Sequence, residues 1–201
     1  MYKIDKFGDF SHLDGDYKKH QIILTNTSRG IENYLQSLKY RYNGKFTKIP
    51  HYIVTREGTI LKLLNSGSCS NFQINSQVNK NSITISLENL GWLQKEPLKD
   101  YYVNWIGDIY KGIVFEKKWR DYFFWQPYTS DQIKALSFLC SNLCSEFSIK
   151  TQFIGHNTKV SGVEKFEGIV CRSNFSSKFT DVTPAFDFEL FLKTIENEQL
   201  T

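Results

Sequence analysis

Histidine and cysteine are the side chains of this 201-residue chain best suited to holding a metal, and His20, His51, His156, Cys69 and Cys171 are the ligand-capable ones. A catalytic metal of the zinc type needs three converging protein ligands and one open position, where it polarises a carbonyl and activates a water. No C-x-x-C pair supplies two of those ligands at once. Cys140 and Cys144 stand four apart in a helical pattern, which predicts burial as small apolar residues and free thiols. His51 opens an apolar run, so packing against a sheet is the simplest role for its ring. His156 ends one, at a place where strand-end loops present chemistry.

The elements that must position such groups can be read from periodicity. His20–Thr25 reads as a buried strand, and Ile31, Leu35, Leu38 and Tyr42 have helical spacing with Gly44 as the stop. Residues 51–55 and 59–63 are two apolar runs around Arg56-Glu57-Gly58, the pattern of a hairpin. Residues 82–87 alternate with period two. Thr129-Ser130-Asp131-Gln132 forms a capping box ahead of the stripe Ile133, Leu136, Cys140, Leu143, Phe147. A strand over 151–155 then delivers His156, and a last helix covers 188–195. Alternating strands and helices with one antiparallel hairpin predict an α/β domain: a central mixed β-sheet flanked by helices.

Composition narrows the partners. The net charge of +4 suits a polyanionic surface but is too small and dispersed for nucleic acid, and 40% hydrophobic residues suffice for a real core. No apolar run is long enough to span a membrane, and Met1–Asp5 has no apolar signal-peptide region. The expectation is synthesis in a cytoplasm without a signal peptide. All four tryptophans, Trp92, Trp105, Trp119 and Trp125, fall in one segment of about 91–127. That segment reads chiefly as an aromatic-rich insertion with its own satellite core, with one or two rings lining a groove.

Five stretches in order resemble the N-acetylmuramoyl-L-alanine amidase family, shared by phage lysozyme-type amidases and peptidoglycan recognition proteins. Pro50–Thr59 looks like its "YHFVIDRDGT" hairpin and Ser82–Asn89 like its "SIGIELVN" strand. Tyr128–Gln132 is similar to its "YTxxQ" helix start, Ile154-Gly155-His156 to "IxGH", and Asp181–Phe188 to "DPGPAFDW". Residues 91–127 have no counterpart in the compact family members.

The resemblance implies a zinc held by two histidines and an aspartate or cysteine, with a tyrosine or glutamate and a lysine beside it. Carried over, it puts His156 and Asp181 at metal-ligand positions, although the gap of 25 between them exceeds the family's roughly ten, so residues 159–177 become an extra loop. Lys178 and Glu88 are the catalytic candidates, Lys178 three before Asp181 rather than two and Glu88 two beyond Ser86, which replaces the family glutamate. A second register uses Lys165 and Glu167. The first metal-binding histidine becomes Thr25, a poor zinc ligand, and the hairpin tyrosine becomes Pro50. Cys171 is the candidate substitute ligand; His20, at an odd offset from Thr25, faces away from it. Trp92, Trp105, Asn26 and His51 are the binding candidates.

These substitutions predict that zinc is held weakly or not at all. The implied function is a peptidoglycan-directed domain that binds a muropeptide, with hydrolysis of its lactyl-amide bond as an open question and the expectation against an efficient enzyme. The implied origin is phage or bacterial, with virion-borne or holin-released delivery. Two alternatives stand beside it: a non-catalytic interaction protein, phage structural or host-regulating, with a protein partner, and an amide hydrolase with a rearranged metal site.

Overall fold

The computed structural model describes residues 2–3, 13–40, 48–72 and 75–198. Its centre is a six-stranded mixed sheet in the order β1 (Tyr2–Lys3), β4 (Ile60–Lys62), β3 (Tyr52–Val54), β5 (Ser82–Leu87), β2 (Gln21–Asn26), β11 (Gly168–Cys171). Only β3 and β4 run antiparallel, as the predicted hairpin; β3, β5, β2 and β11 are all parallel. Every residue of β2, β5 and β11 is buried, as expected of parallel strands covered on both faces.

The side-chain alternation sorts two cores. Ile22, Leu24, Ile83, Ile85, Leu87 and Cys171 meet helices α3 (Ser130–Phe147) and α4 (Phe188–Glu198) on one face. On the other, Ile53 meets Tyr34 and Leu38 of α1 (Ile31–Tyr40), while Ile23 and Val170 meet Val78 of α2 (Ser76–Asn81). The helix stop placed at Tyr42 and Gly44 lies outside the described residues. Helix α3 buries Ile133, Leu136, Cys140 and Leu143 of the predicted stripe, and Phe147 partly. Its capping box is only half formed: Thr129 accepts the Gln132 N–H at 3.1 Å, but the Gln132 side chain donates instead to Val54 O and Glu88 O, both at 3.0 Å, tying helix to sheet.

Two expectations are corrected. Residues 151–155 are not a strand of the central sheet; they touch it through a single bridge, Phe153 to Ile169. The edge place is taken by β11, which lies inside the stretch 159–177 expected to be an extra loop. The order of chain explains this: Ile169 and Val170 bury fully against β2, whereas Phe153 and Ile154 stay partly exposed outside them.

The aromatic segment forms its own antiparallel sheet, β8 (Ile109–Tyr110), β7 (Tyr102–Val103), β6 (Trp92–Lys95), β10 (Tyr122–Trp125), β9 (Phe115–Trp119). Trp125 is fully buried and donates to Lys117 O at 2.8 Å, and Trp92 stacks on Tyr122 at 4.5 Å. Gln126 ties this sheet to the end of β5, accepting the Leu90 N–H at 2.7 Å and the Asn89 amide at 3.0 Å. No described helix is long and apolar enough to cross a membrane.

Candidate functional site

Three parallel strands in register build the site. Cys171 pairs with Leu24, and Thr25 with Ser86. Because Leu24 turns toward α3 and α4, Thr25 and its partner Ser86 turn to the opposite face. They form a row across the C-terminal ends of β2 and β5, and Arg172, the first residue of the 3-10 turn Arg172–Asn174 that follows β11, extends it through its contact with Asp181.

Asp181 closes on this row from the following loop, whose start is pinned by the Ser173 N–H donating to Asp181 O at 2.7 Å. Its Oδ2 accepts the Thr25 hydroxyl, receives the Asn26 N–H at 3.4 Å, and lies 3.5 Å from Arg172 Nη1. The Asp181 side chain is 9% exposed and that of Arg172 21%, so the ion pair is largely shielded from water. The guanidinium lies 4.0 Å from the Phe179 ring centroid and 5.3 Å from that of Phe72. Tyr34 reaches in from α1 toward Ser86; burial pushes its phenol above the ordinary range, with the Arg172 and Arg29 charges opposing that shift and Asp181 adding to it. The buried Tyr34 hydroxyl, Ser86 hydroxyl and Arg172 Nε have no well-formed hydrogen bond among the described residues.

The other candidates fall elsewhere or are already engaged. His156 is exposed, its Nδ1 meeting the Thr158 hydroxyl at 2.8 Å, so the expected meeting of His156 with Asp181 and Thr25 is not seen. Lys178 is exposed, and the position two before Asp181 belongs to Phe179. Glu88 is buried and bridges two backbones, accepting Ile31 N–H and Arg56 N–H, each at 3.0 Å. Cys171 is fully buried in the core beneath α3 and α4, where burial raises its thiol far above the ordinary range, the Val182 backbone opposing that shift and the Asp181 charge adding to it. His51 is buried between Thr84 N–H and Ser68 O, each at 3.0 Å, a packing role. Glu167, of the second register, pairs with Lys150 at 2.6 Å on the surface, and Lys165 ends a short 3-10 turn.

Of the binding candidates, Asn26 accepts the Tyr128 hydroxyl at 2.7 Å, and that hydroxyl accepts the Thr183 N–H at 3.2 Å. Trp92 lines a cleft of about 380 Å³ in the second sheet. Trp105 is 47% exposed, donates to Ser28 O at 2.8 Å and carries Arg29 over its face at 5.0 Å, which sets it on the loop leaving β2. The residue the sequence reading missed is Arg172. Its signal was present: nine residues separate it from Asp181, close to the family spacing, and the buried run Gly168–Cys171 leads into it. Arginine is not a metal-ligating type, so spacing from Asp181 alone does not mark it as a ligand.

A neutral hydroxyl, a guanidinium and one carboxylate are not a zinc-binding set. Zinc prefers imidazole, thiolate or carboxylate, and a fixed cation repels a second one. Among the described residues, no three His, Cys, Asp or Glu side chains gather as a metal-holding group.

The N-acetylmuramoyl-L-alanine amidase family profile matches residues 16–167. Solved structures share the fold at low identity. LysC from Clostridium intestinale URNW, an N-acetylmuramoyl-L-alanine amidase, is 12% identical with a TM-score of 0.56, over 96% of this chain and 95% of its own. AmiD from E. coli, in complex with anhydro-N-acetylmuramic acid-L-Ala-D-gamma-Glu-L-Lys, is 16% identical with a TM-score of 0.53, over 90% and 58%. AmpDh3 from Pseudomonas aeruginosa, in complex with anhydromuramic pentapeptide, is 13% identical with a TM-score of 0.56, over 96% and 66%. No curated protein matches the sequence.

Proposed function

The chain belongs to the N-acetylmuramoyl-L-alanine amidase family, and from that premise we propose that it binds a muropeptide at the C-terminal end of its central sheet without hydrolysing it efficiently. The observation that carries this reading is the row Arg172–Thr25–Ser86 closed by Asp181, which keeps the family's place for chemistry but not a zinc-ligand set. Recognition of a muropeptide needs shape, stacking and hydrogen bonds, all of which this end of the sheet offers. Trp105 and Arg29 stand at the loop after β2, and a cleft of about 280 Å³ opens beside Gly30, Ile31 and Glu88. AmiD and AmpDh3 carry muropeptides on the same fold, which supports that class of ligand here.

Cleavage of the lactyl-amide bond is a separate demand. It requires metal-level polarisation of the carbonyl or an equivalent, and an exposed indole and a paired arginine do not replace that. The domain is thus read as a wall-directed binder. The deciding test pairs a pull-down on purified peptidoglycan with an assay for released stem peptides. Retention on the wall without peptide release is the expected result. Catalytic release that is lost in Asp181→Ala would overturn the reading, and failure to bind any wall fragment would turn it toward a protein partner.

A further inference from the structure

We propose that Arg172 is a resident cation that occupies the place of the family's metal, so that this site is closed to zinc by its own side chain rather than merely lacking a ligand. The proposal does not depend on muropeptide binding.

Charge requires some such group. A carboxylate as shielded as that of Asp181 is costly to bury unless cations or donors surround it. Thr25 and the Asn26 N–H supply two donors, and Arg172 supplies the positive charge at 3.5 Å. That distance is long for a hydrogen bond, so the contact is chiefly coulombic. A guanidinium carries a permanent charge and stacks well on aromatic faces, and here Phe179 and Phe72 hold it. Phe179 stands two before Asp181, the position at which the family resemblance places a lysine. One cation has therefore been traded for an aromatic support while another has arrived on β11.

Register identifies which residue Arg172 replaces. It opens the 3-10 turn directly after β11, shares the Asp181 carboxylate with Thr25, and precedes Asp181 by nine positions. His156 precedes Asp181 by 25 and has its ring on Thr158. Cys171 precedes Asp181 by ten but turns into the core beneath α3 and α4, so of the three it is Arg172 whose side chain meets Asp181 together with that of Thr25. A zinc bound to Asp181 at roughly 2.0–2.2 Å would be pressed against the guanidinium, which neither shares electrons nor tolerates a dication at that range. The pairing of substitutions matters: loss of the histidine at 25 alone weakens a metal site, whereas arginine in the second place fills it.

The geometry then makes a constructive prediction. Thr25 and Arg172 both reach Asp181 Oδ2, so histidines at 25 and 172 would project toward the same carboxylate. The test is metal content after zinc loading and dialysis, with cobalt substitution as a spectroscopic check. Wild type should retain well under one zinc per chain. Thr25→His/Arg172→His should retain about one and give the visible bands of tetrahedral cobalt, and Thr25→His alone should not. A dialysis-resistant stoichiometric zinc on wild type overturns the proposal. So does a double variant that unfolds cooperatively yet stays metal-free.

Should the double variant fail to fold, charge is tested in the single variants. Arg172→Met should lower the urea midpoint clearly more than Arg172→Lys, and Asp181→Asn placed on Arg172→Met should recover part of the loss. Equal losses for Met and Lys, with no recovery, would show that Arg172 only fills space and would overturn the assigned role.

Discussion

The hydroxyl of Thr25 donates to the carboxylate of Asp181 across 156 positions of chain, joining the end of β2 to the loop after β11. The contact holds together the two positions, 25 and 181, at which the family resemblance places metal ligands. Thr25→Val keeps the shape of the side chain and removes the donor. The expected loss is about 1–3 kcal/mol, since a shielded carboxylate then has one donor fewer. Urea unfolding of the pure variant measures it. A change within error would mean that the Asn26 N–H and Arg172 already satisfy Asp181.

Glu88 has a comparable bracing task at the other side of the site. Its two oxygens accept N–H groups from the start of α1 and from the hairpin turn, at 3.0 Å each. Glu88→Gln retains one acceptor and turns an NH2 group toward the other N–H. Stability should fall by about 1–3 kcal/mol, while the capacity to bind wall fragments persists in the folded fraction. Loss of binding at unchanged stability would instead assign Glu88 to the ligand.

For His156 the expectation is opposite. The side chain is exposed and bonded to its neighbour Thr158, so His156→Ala should change stability by no more than about 0.5 kcal/mol. Neither metal content nor wall binding should move. A drop in either would return His156 to the site.

Glu88 and His156 have other surroundings than the sequence predicts, whereas several of the elements around them were legible. The hairpin, β5 and α3 were legible because their apolar periods are long and their ends carry turn or cap residues, such as Gly58 and Thr129. Asp181 was legible from the Pro184–Phe188 run behind it. β11 was not, because four residues give no period and Gly168 hides its start. Ile154-Gly155-His156 drew the match instead, a local string whose ring the fold leaves in solvent. Arg172 could be found only by asking which residue follows the strand beside Thr25, a question of pairing that a single sequence does not answer. The aromatic segment was read as a satellite core, and its buried Trp125 and stacked Trp92 fit that, but its organisation as a second sheet rests on cross-strand pairing.

Lys19 gives the fold a pH dependence. Its ammonium is buried and donates to three carbonyls, Ser68 at 2.6 Å, Lys80 at 2.8 Å and Ser82 at 3.2 Å. Burial lowers it from 10.5 to about 8, with Cys69 and Asp16 pulling the other way. Between those values the unfolded chain binds more protons than the folded one, so this contribution to stability rises with pH. It is complete above the unfolded value and lost as pH falls through about 8. Cys69, raised by burial, acts in the opposite sense in the same range. Comparison with Lys19→Met removes most of that background. The stability difference, wild type minus variant, should grow in favour of wild type from about pH 7 to about pH 10. A flat difference counts against a depressed Lys19.

Trp105 tests the binding reading at the rim of the site. Its indole N–H donates to Ser28 O, and Arg29 lies over its face, so the ring is oriented although 47% of it is exposed. An oriented, half-exposed ring on the loop after β2 is poorly explained by packing, because Asn104 also reaches Ser28 O at 3.3 Å, and Asn33 joins Asp108 at 3.0 Å. Those bonds keep the segment on the β2–α1 loop after the indole is removed. Trp105→Ala should therefore cost no more than about 1 kcal/mol of stability, the size of an exposed cation–π contact. Affinity for a soluble muropeptide, measured by calorimetry, should fall by about tenfold, or 1.4 kcal/mol, as the apolar platform and the guanidinium held over it are lost together. Trp105→Phe should keep part of that affinity, since stacking survives without the indole N–H. Unchanged affinity in Trp105→Ala would move the binding surface away from this loop, and a large stability loss would make the ring a structural element after all.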